Sequence, residues 1–211
     1  MNIRFIYFDL PFWRAETSRL ALFLGGIPFD DIRVTSDGFQ EMKANNQLPY
    51  NQLPILEVDG RVIAQSLAIA RFCGKKSGFY PLNSDIDAAL VDELLDTVSQ
   101  VTELFSQSLS EGNLQKKVNM RQTIAMHTLP MWLELLERRV AANSDSIYCV
   151  GSKTTIADFA LWRLLGWISS GKLEGIPSDC FDRYSRLRDH FDHIDGNAEI
   201  RTWMRHNYDL D

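Results

Sequence analysis

Tyr7, Arg14 and the pair Gln65-Ser66 are the residues of this chain best placed to do chemistry. Tyr7 stands near the end of an apolar run, IRFIYF, that suits a buried strand. A phenol is a poor base at neutral pH but a good donor to a thiolate. Donation to S⁻ favours the charged form and lowers the thiol pKa. A drop of about two units needs roughly 2.7 kcal/mol, close to the 1.5–3 kcal/mol of one charge-assisted hydrogen bond. Arg14 opens a helix, so its guanidinium and the helix N-terminus both add positive potential. The same spacing also suits a core tyrosine beside a helix-surface arginine.

Gln65-Ser66 follows one strand and opens another helix. Serine is a preferred N-cap, and an open helix N-terminus holds carboxylates; a plain cap is the alternative. Gln52-Leu53-Pro54 presents extended backbone that can pair with a peptide-like ligand along a sheet edge, or simply end the sheet there. Lys43, on a polar loop, can meet a second carboxylate or stay solvated. A phenol, a guanidinium and a helix N-terminus around one space suit a small, anionic, sulfur-bearing ligand.

Other polar residues read as structural. Thr155-Ile156-Ala157-Asp158 fits a capping pattern that opens an apolar helix, so Thr155 and Asp158 are expected to cap it. His127, His190, His193 and His206 have no ligand spacing, and His190 and His193, with Asp189, Asp192 and Asp195, read as a surface-like segment. Cys73, Cys149 and Cys180 form no C-x-x-C pair and none opens the first helix. No metal and no thiol nucleophile are expected, and the odd cysteines indicate a reducing compartment, the cytoplasm.

These residues need elements to hold them. Ile3 to Phe8 reads as a strand, Arg14 to Leu24 as a helix stopped by Gly25-Gly26, and Ile27 to Val34 as a second strand. A loop then leads to Ile55–Val58, the turn Asp59-Gly60 and Arg61–Ala64, a hairpin signature followed by a helix from Ser66 to Lys75. The order β-α-β-loop-β-β-α implies a small α/β layer. Turn residues from 79 to 84 read as a linker. Beyond it, Ile86, Leu90, Leu94, Val98, Val101, Phe105 and Leu109 form one helical stripe. Val118 to Val140 reads as a helix kinked at Pro130, and Ile156 to Ile168 as a buried central helix.

Composition narrows the function. A net charge of −6 without any Lys/Arg run argues against nucleic acid as a partner. No apolar stretch is long enough to span a membrane, and MNIRFIYFDL has no leader-like apolar region, so neither membrane nor export is expected.

In this order the motifs resemble the cytosolic glutathione transferases, and among them the sigma class, which includes haematopoietic prostaglandin D synthase. Tyr7-Phe8 with Arg14-Ala15-Glu16, the run from Leu53 to Gly60, Gln65-Ser66 through Arg71, and Asp158 carry the resemblance over essentially the whole chain. It implies a thioredoxin-like, glutathione-binding α/β domain at 1–78, a linker at 79–84, and an all-helical domain at 85–211 that contributes the electrophile pocket. Glutathione is the implied co-substrate. Tyr7 and Arg14 would be catalytic. Tyr7, Phe39, Lys43, Gln52, Leu53, a cis Pro54, Gln65 and Ser66 would hold glutathione, with Gln100 reaching in from the partner of a homodimer. Phe8, Phe12, Trp13, Phe105 and Gln107 would line the electrophile pocket.

The chain departs from that pattern at several positions. FDLPFW between Tyr7 and Arg14 is one residue longer than usual, and Trp13 replaces a glycine, so Trp13 is expected at the pocket lip. Phe39 replaces a tryptophan donor, Gln100 an aspartate, and Gln107 and Ala160 large aromatics. The expected function is conjugation of the glutathione thiolate to small hydrophobic electrophiles. A glutathione-dependent isomerase, or a non-catalytic ligand-binding or structural protein on the same scaffold, is the alternative.

Overall fold

The structure, a computed structural model, describes residues 1–208. Its first part runs β1 (Ile3–Phe8), α1 (Trp13–Leu24), β2 (Asp30–Val34), α2 (Ser36–Ala44), β3 (Ile55–Val58), β4 (Arg61–Ala64) and α3 (Ser66–Ser77). Its second part runs α4 (Asp85–Glu103), α5 (Ser106–Ser110), α6 (Leu114–Thr123), α7 (Leu129–Ala141), α8 (Ile156–Ile168), α9 (Ser185–Asp195) and α10 (Ala198–Tyr208), with a π turn at Ile124–Thr128 between α6 and α7. The expected α/β layer followed by helices is therefore the observed architecture.

The four strands form one mixed sheet in the order β2-β1-β3-β4. β1 is parallel to β2 and antiparallel to β3, with Phe5 opposite Leu56. Parallel pairing of β1 and β2 needs a crossover, which α1 supplies. Asp59 and Gly60 both take left-handed backbone (φ 48° and 79°), the geometry of a two-residue hairpin turn between β3 and β4.

Four expectations change. Residues 36–44 are not a loop but α2, capped where the Thr35 hydroxyl accepts from the Gly38 amide; a polar nine-residue segment with no buried side chain leaves no apolar period to read. The second strand begins at Asp30 rather than Ile27. The single stripe from Ile86 to Leu109 breaks after Glu103, because α4 ends there and Phe105 turns into the core. The stretch around Pro130 is helical without a gap from Leu114 to Ala141, but not as one regular α-helix: the π turn at Ile124–Thr128 lies directly before Pro130, which has no N–H to continue the ladder.

α8 is the hub. It is buried nearly all round, as its composition indicates, and packs against α1 and α4. The linker is tied to it, since the Ile156 amide donates to the Phe79 carbonyl at 2.9 Å. Gly74 of α3 makes room for this approach: a β-carbon there would sit 2.8 Å from the Ile156 side chain. α1 and α4 are joined by the Trp13 indole N–H, which donates to the Thr102 hydroxyl at 2.8 Å. α10 is tied to α1 by a buried ionic network. Glu16 and Arg19 of α1 pair at 3.0 Å, Arg19 also reaches Asp31 at 2.9 Å, and Glu16 accepts from the Trp203 indole at 2.8 Å and from the Tyr208 hydroxyl. Complete pairing is what makes such charges tolerable in a core.

Candidate active site

α3 begins without a conventional cap. Ser66, expected as the N-cap, is instead the first helical residue, and the cap position is Gln65 with φ 74°. No side chain accepts from the first turn there. The opening N–H groups of α3 are therefore unused donors beside a positive dipole end, the usual makings of an anion site.

That helix start faces a cleft of about 400 Å³. Gln52, Leu53 and Pro54 form one wall, Gln65, Ser66 and Leu67 the second, and Arg14 and Glu103 the third. The Leu53–Pro54 peptide is cis. Five of the residues expected to hold glutathione, Gln52, Leu53, Pro54, Gln65 and Ser66, thus meet in one concavity with Arg14. Arg14 is half-buried, donates to Glu103 at 3.1 Å, and stands over the Phe12 and Trp13 rings, 5.8 Å from each.

Tyr7 is nearly buried and does not form part of that cleft wall. Burial pushes its phenol pKa above the usual value, while Arg14 and Arg19 pull it down by less. The hydroxyl therefore stays protonated at neutral pH, the state required of a donor. Aromatic contacts lead away from it. Phe8 lies edge-on to Tyr7 at 5.4 Å, Phe39 lies edge-on to Phe8 at 5.3 Å, and the Lys43 ammonium sits 4.6 Å from the Phe39 centroid. Phe39 and Lys43, both on α2, stand at this end rather than in the cleft itself.

Gln100 is exposed on the outer side of α4, in a shallow groove of about 600 Å³ shared with Leu67, Ser99 and Glu103. It does not form part of its own chain's cleft.

The matched sequence models are those described as the glutathione S-transferase N-terminal domain, over residues 4–74, and C-terminal domain, over residues 99–207. The chain belongs to the glutathione S-transferase family. It is 31% identical over 204 residues to a Gallus gallus protein named hematopoietic prostaglandin D synthase, covering 97% of this chain and 96% of that one. It is 28% identical to glutathione S-transferase 1 of Ascaris suum, over 94% of this chain and 93% of the relative. Among solved structures it matches a glutathione transferase of the hookworm Necator americanus, described as monomeric, with a TM-score of 0.81, 26% identity and full coverage of both chains.

Three residues expected in the electrophile pocket have the following surroundings. Trp13 is not at a lip but in the core, because its indole N–H finds Thr102 and its ring packs behind Arg14. Phe105 is fully buried and meets Trp167 at 5.1 Å, its turn inward following from the break after α4. Gln107 points to solvent on α5. Phe12 is half-buried and edge-on to Trp167 at 5.1 Å, and the Pro11 carbonyl accepts from Arg163 at 2.8 Å, so the long loop after β1 is anchored to α8.

The transferase capping box is present in full. Thr155 caps α8, and Asp158 accepts from the Thr155 amide and the Cys149 amide, both at 2.7 Å, and from the Thr155 hydroxyl at 2.9 Å. His190, expected on the surface, is buried and bonded through Nε2 to Asp158 at 3.0 Å, because α9 turns that face toward α8. Cys149, Asp158 and His190 thereby bring three donor atoms within 4.8 Å of one another. The capping bonds already engage both Asp158 oxygens, so the cluster reads as a clamp. The cysteines do not supply a reactive thiolate: burial pushes Cys73 and Cys180 up to about 12 and Cys149 well up.

Sequence reasoning missed Tyr50, Leu67, Arg71, Ser99 and Glu103 of the cleft wall. Arg71 lay in a motif already noted, but its pairing with Asp92 at 2.7 Å on α4 is a tertiary fact. Tyr50 and Glu103 carry no local signal at all.

Proposed function

We propose that this transferase holds glutathione in the cleft between Arg14, Pro54 and Ser66 and adds its thiolate to small hydrophobic electrophiles. The observation that carries the reading is the uncapped start of α3 facing a concavity that also holds the extended Gln52–Pro54 backbone and Arg14. In this reading Gln65, Ser66 and the first amides of α3 take the γ-glutamyl carboxylate. Leu53 pairs with the cysteinyl backbone, as a strand edge pairs with an added strand. Gln52, Phe39 and Lys43 lie along the glycyl end. Tyr7 donates to the sulfur and Arg14 supports the thiolate field, so the thiol ionises at neutral pH. Binding then holds the nucleophile beside its electrophile.

The finer features belong to the same proposal: a sigma-like enzyme acting in the cytoplasm, as a homodimer whose partner brings Gln100 to the glutathione amine. An isomerase is the second reading, favoured by the relative named as a prostaglandin D synthase. Conjugation of an aryl chloride and isomerisation of prostaglandin H₂ should be assayed side by side. The conjugation is expected to dominate; efficient and specific formation of prostaglandin D₂ would reverse the assignment.

A further inference from the structure

A second concavity, of about 300 Å³, lies on the helical part between α8, the end of α9 and α10. Trp162 and Arg163 of α8, Asp195 of α9, and Ile200, Arg201, Met204 and Arg205 of α10 line it. Three guanidinium groups and one carboxylate therefore surround it, in a protein whose net charge is −6.

The single carboxylate is already engaged. Asp195 accepts from the Trp162 indole at 3.2 Å and faces Arg201 at 3.7 Å, while its carbonyl takes the Arg201 Nε at 2.8 Å. Arg163 is left differently. One nitrogen donates to the Pro11 carbonyl at 2.8 Å, and a β-carbon on Gly166 would meet another at 3.0 Å, so glycine leaves that guanidinium its place. Its Nε is buried and meets no acceptor among the described residues. No carboxylate pairs with Arg163 among the described residues, and the buried Glu16 is taken by Arg19, Trp203 and Tyr208. Burial pushes the Arg163 pKa down, with Glu16, Tyr208 and Asp195 offsetting only part of that.

A half-buried arginine with an unused Nε–H, two further arginines at the same cavity, and no spare acid among the described residues describe a site short of negative charge. Guanidinium forks match tetrahedral oxyanions with two N–H groups at once. We infer that this cavity is a binding site for a phosphate group, separate from the glutathione cleft. Its volume exceeds that of a bare phosphate, and Ile200 and Met204 give it an apolar wall, so a small phosphate monoester is the class of ligand it fits.

Inorganic phosphate is the probe, titrated at constant ionic strength while the Arg163 side-chain Nε–H resonance is followed by NMR. A saturable shift is expected. Arg205→Gln, at an exposed position, should weaken it by about tenfold, the loss of one charge-assisted contact. Conjugation of an aryl chloride by the same variant should be unchanged, because Arg205 touches no part of the glutathione cleft. Arg201→Gln serves as a second variant and should weaken binding in the same direction. A shift that merely follows ionic strength, or saturable binding equal in wild type and both variants, overturns the site. Loss of phosphate binding on adding saturating glutathione would place the anion in the glutathione cleft and equally overturn it.

Discussion

At the scale of single residues, Tyr7 and Trp13 show how environment decides between chemistry and packing. Both are large aromatics with a polar tip, seven positions or fewer from Arg14. Trp13 satisfies its N–H on Thr102 and becomes core. The Tyr7 hydroxyl meets no acceptor among the described residues, its pKa is raised by burial, and Arg14 acts on it electrostatically. Tyr7→Phe is therefore expected to leave glutathione affinity nearly unchanged. Turnover should fall about 10- to 1000-fold, the range lost with one aimed donor. Absorbance titration of the bound thiolate checks the mechanism: its pKa should rise in the mutant, and an unchanged titration would exclude Tyr7 as the sulfur's donor. Thr102→Val should leave the buried Trp13 N–H unpaired and cost about 1–3 kcal/mol by denaturant unfolding. A variant as stable as wild type would show that this bond contributes nothing to holding α1 on α4.

Among elements, the junction of α8 and α9 depends most on one side chain. Four contacts converge on Asp158, two from amides, one from Thr155 and one from His190. Burial alone would raise its pKa, but the His190 bond and charge and the two amides outweigh that and hold the carboxyl below its ordinary value. A depressed carboxyl pKa stabilises the fold fully above the unfolded-state value and loses that contribution as pH falls through the folded one. Asp158→Ala should therefore destabilise by about 3–5 kcal/mol at neutral pH, as removal of one partner from a buried pair does. The gap from wild type should persist down to the ordinary carboxylate range and shrink only below it. Unfolding measured across pH tests both parts, and a mutant with wild-type melting temperature but poor turnover would move Asp158 from structure to catalysis.

For the whole molecule, the open question is how many chains make the enzyme. The apolar stripe along α4 and on to Phe105 offers a partner little, because Leu94, Val98, Val101 and Phe105 are all buried in this chain's own core. What stays outside is different: Ile86 is 73% exposed, Leu82 66% and Tyr50 64%. Tyr50 lines the cleft, and Gln100 faces outward from α4 in the adjoining groove. A homodimer that covers these residues is expected by sedimentation at micromolar concentration, and Tyr50→Ala should weaken it. A stable monomer under those conditions, the state described for the hookworm relative, would require the cleft to work without Gln100 from a partner.

The sequence by itself determined the local pieces. Alternation and the Asp59-Gly60 pair specify the hairpin, continuous apolar composition specifies α8, and Thr155 with Asp158 specifies its start, because each depends on neighbours within a few residues. Gln52, Leu53, Pro54, Gln65 and Ser66 were legible as a group for the same reason: they sit in order around two strands and one helix start. Tertiary structure decided the rest. The short α2 has only Phe39 and Met42 as an apolar face, too few positions to mark it as a helix in the sequence. The fate of Trp13, Phe105 and His190 turned on which partner lay within reach: Thr102 89 residues away, Trp167 on α8, Asp158 32 residues away. That Arg163 meets the Pro11 carbonyl but no carboxylate among the described residues is a matter of packing, and no spacing along a chain encodes that. A side chain's type sets what it can do, and only packing sets which atoms surround it and whether it is left free to act.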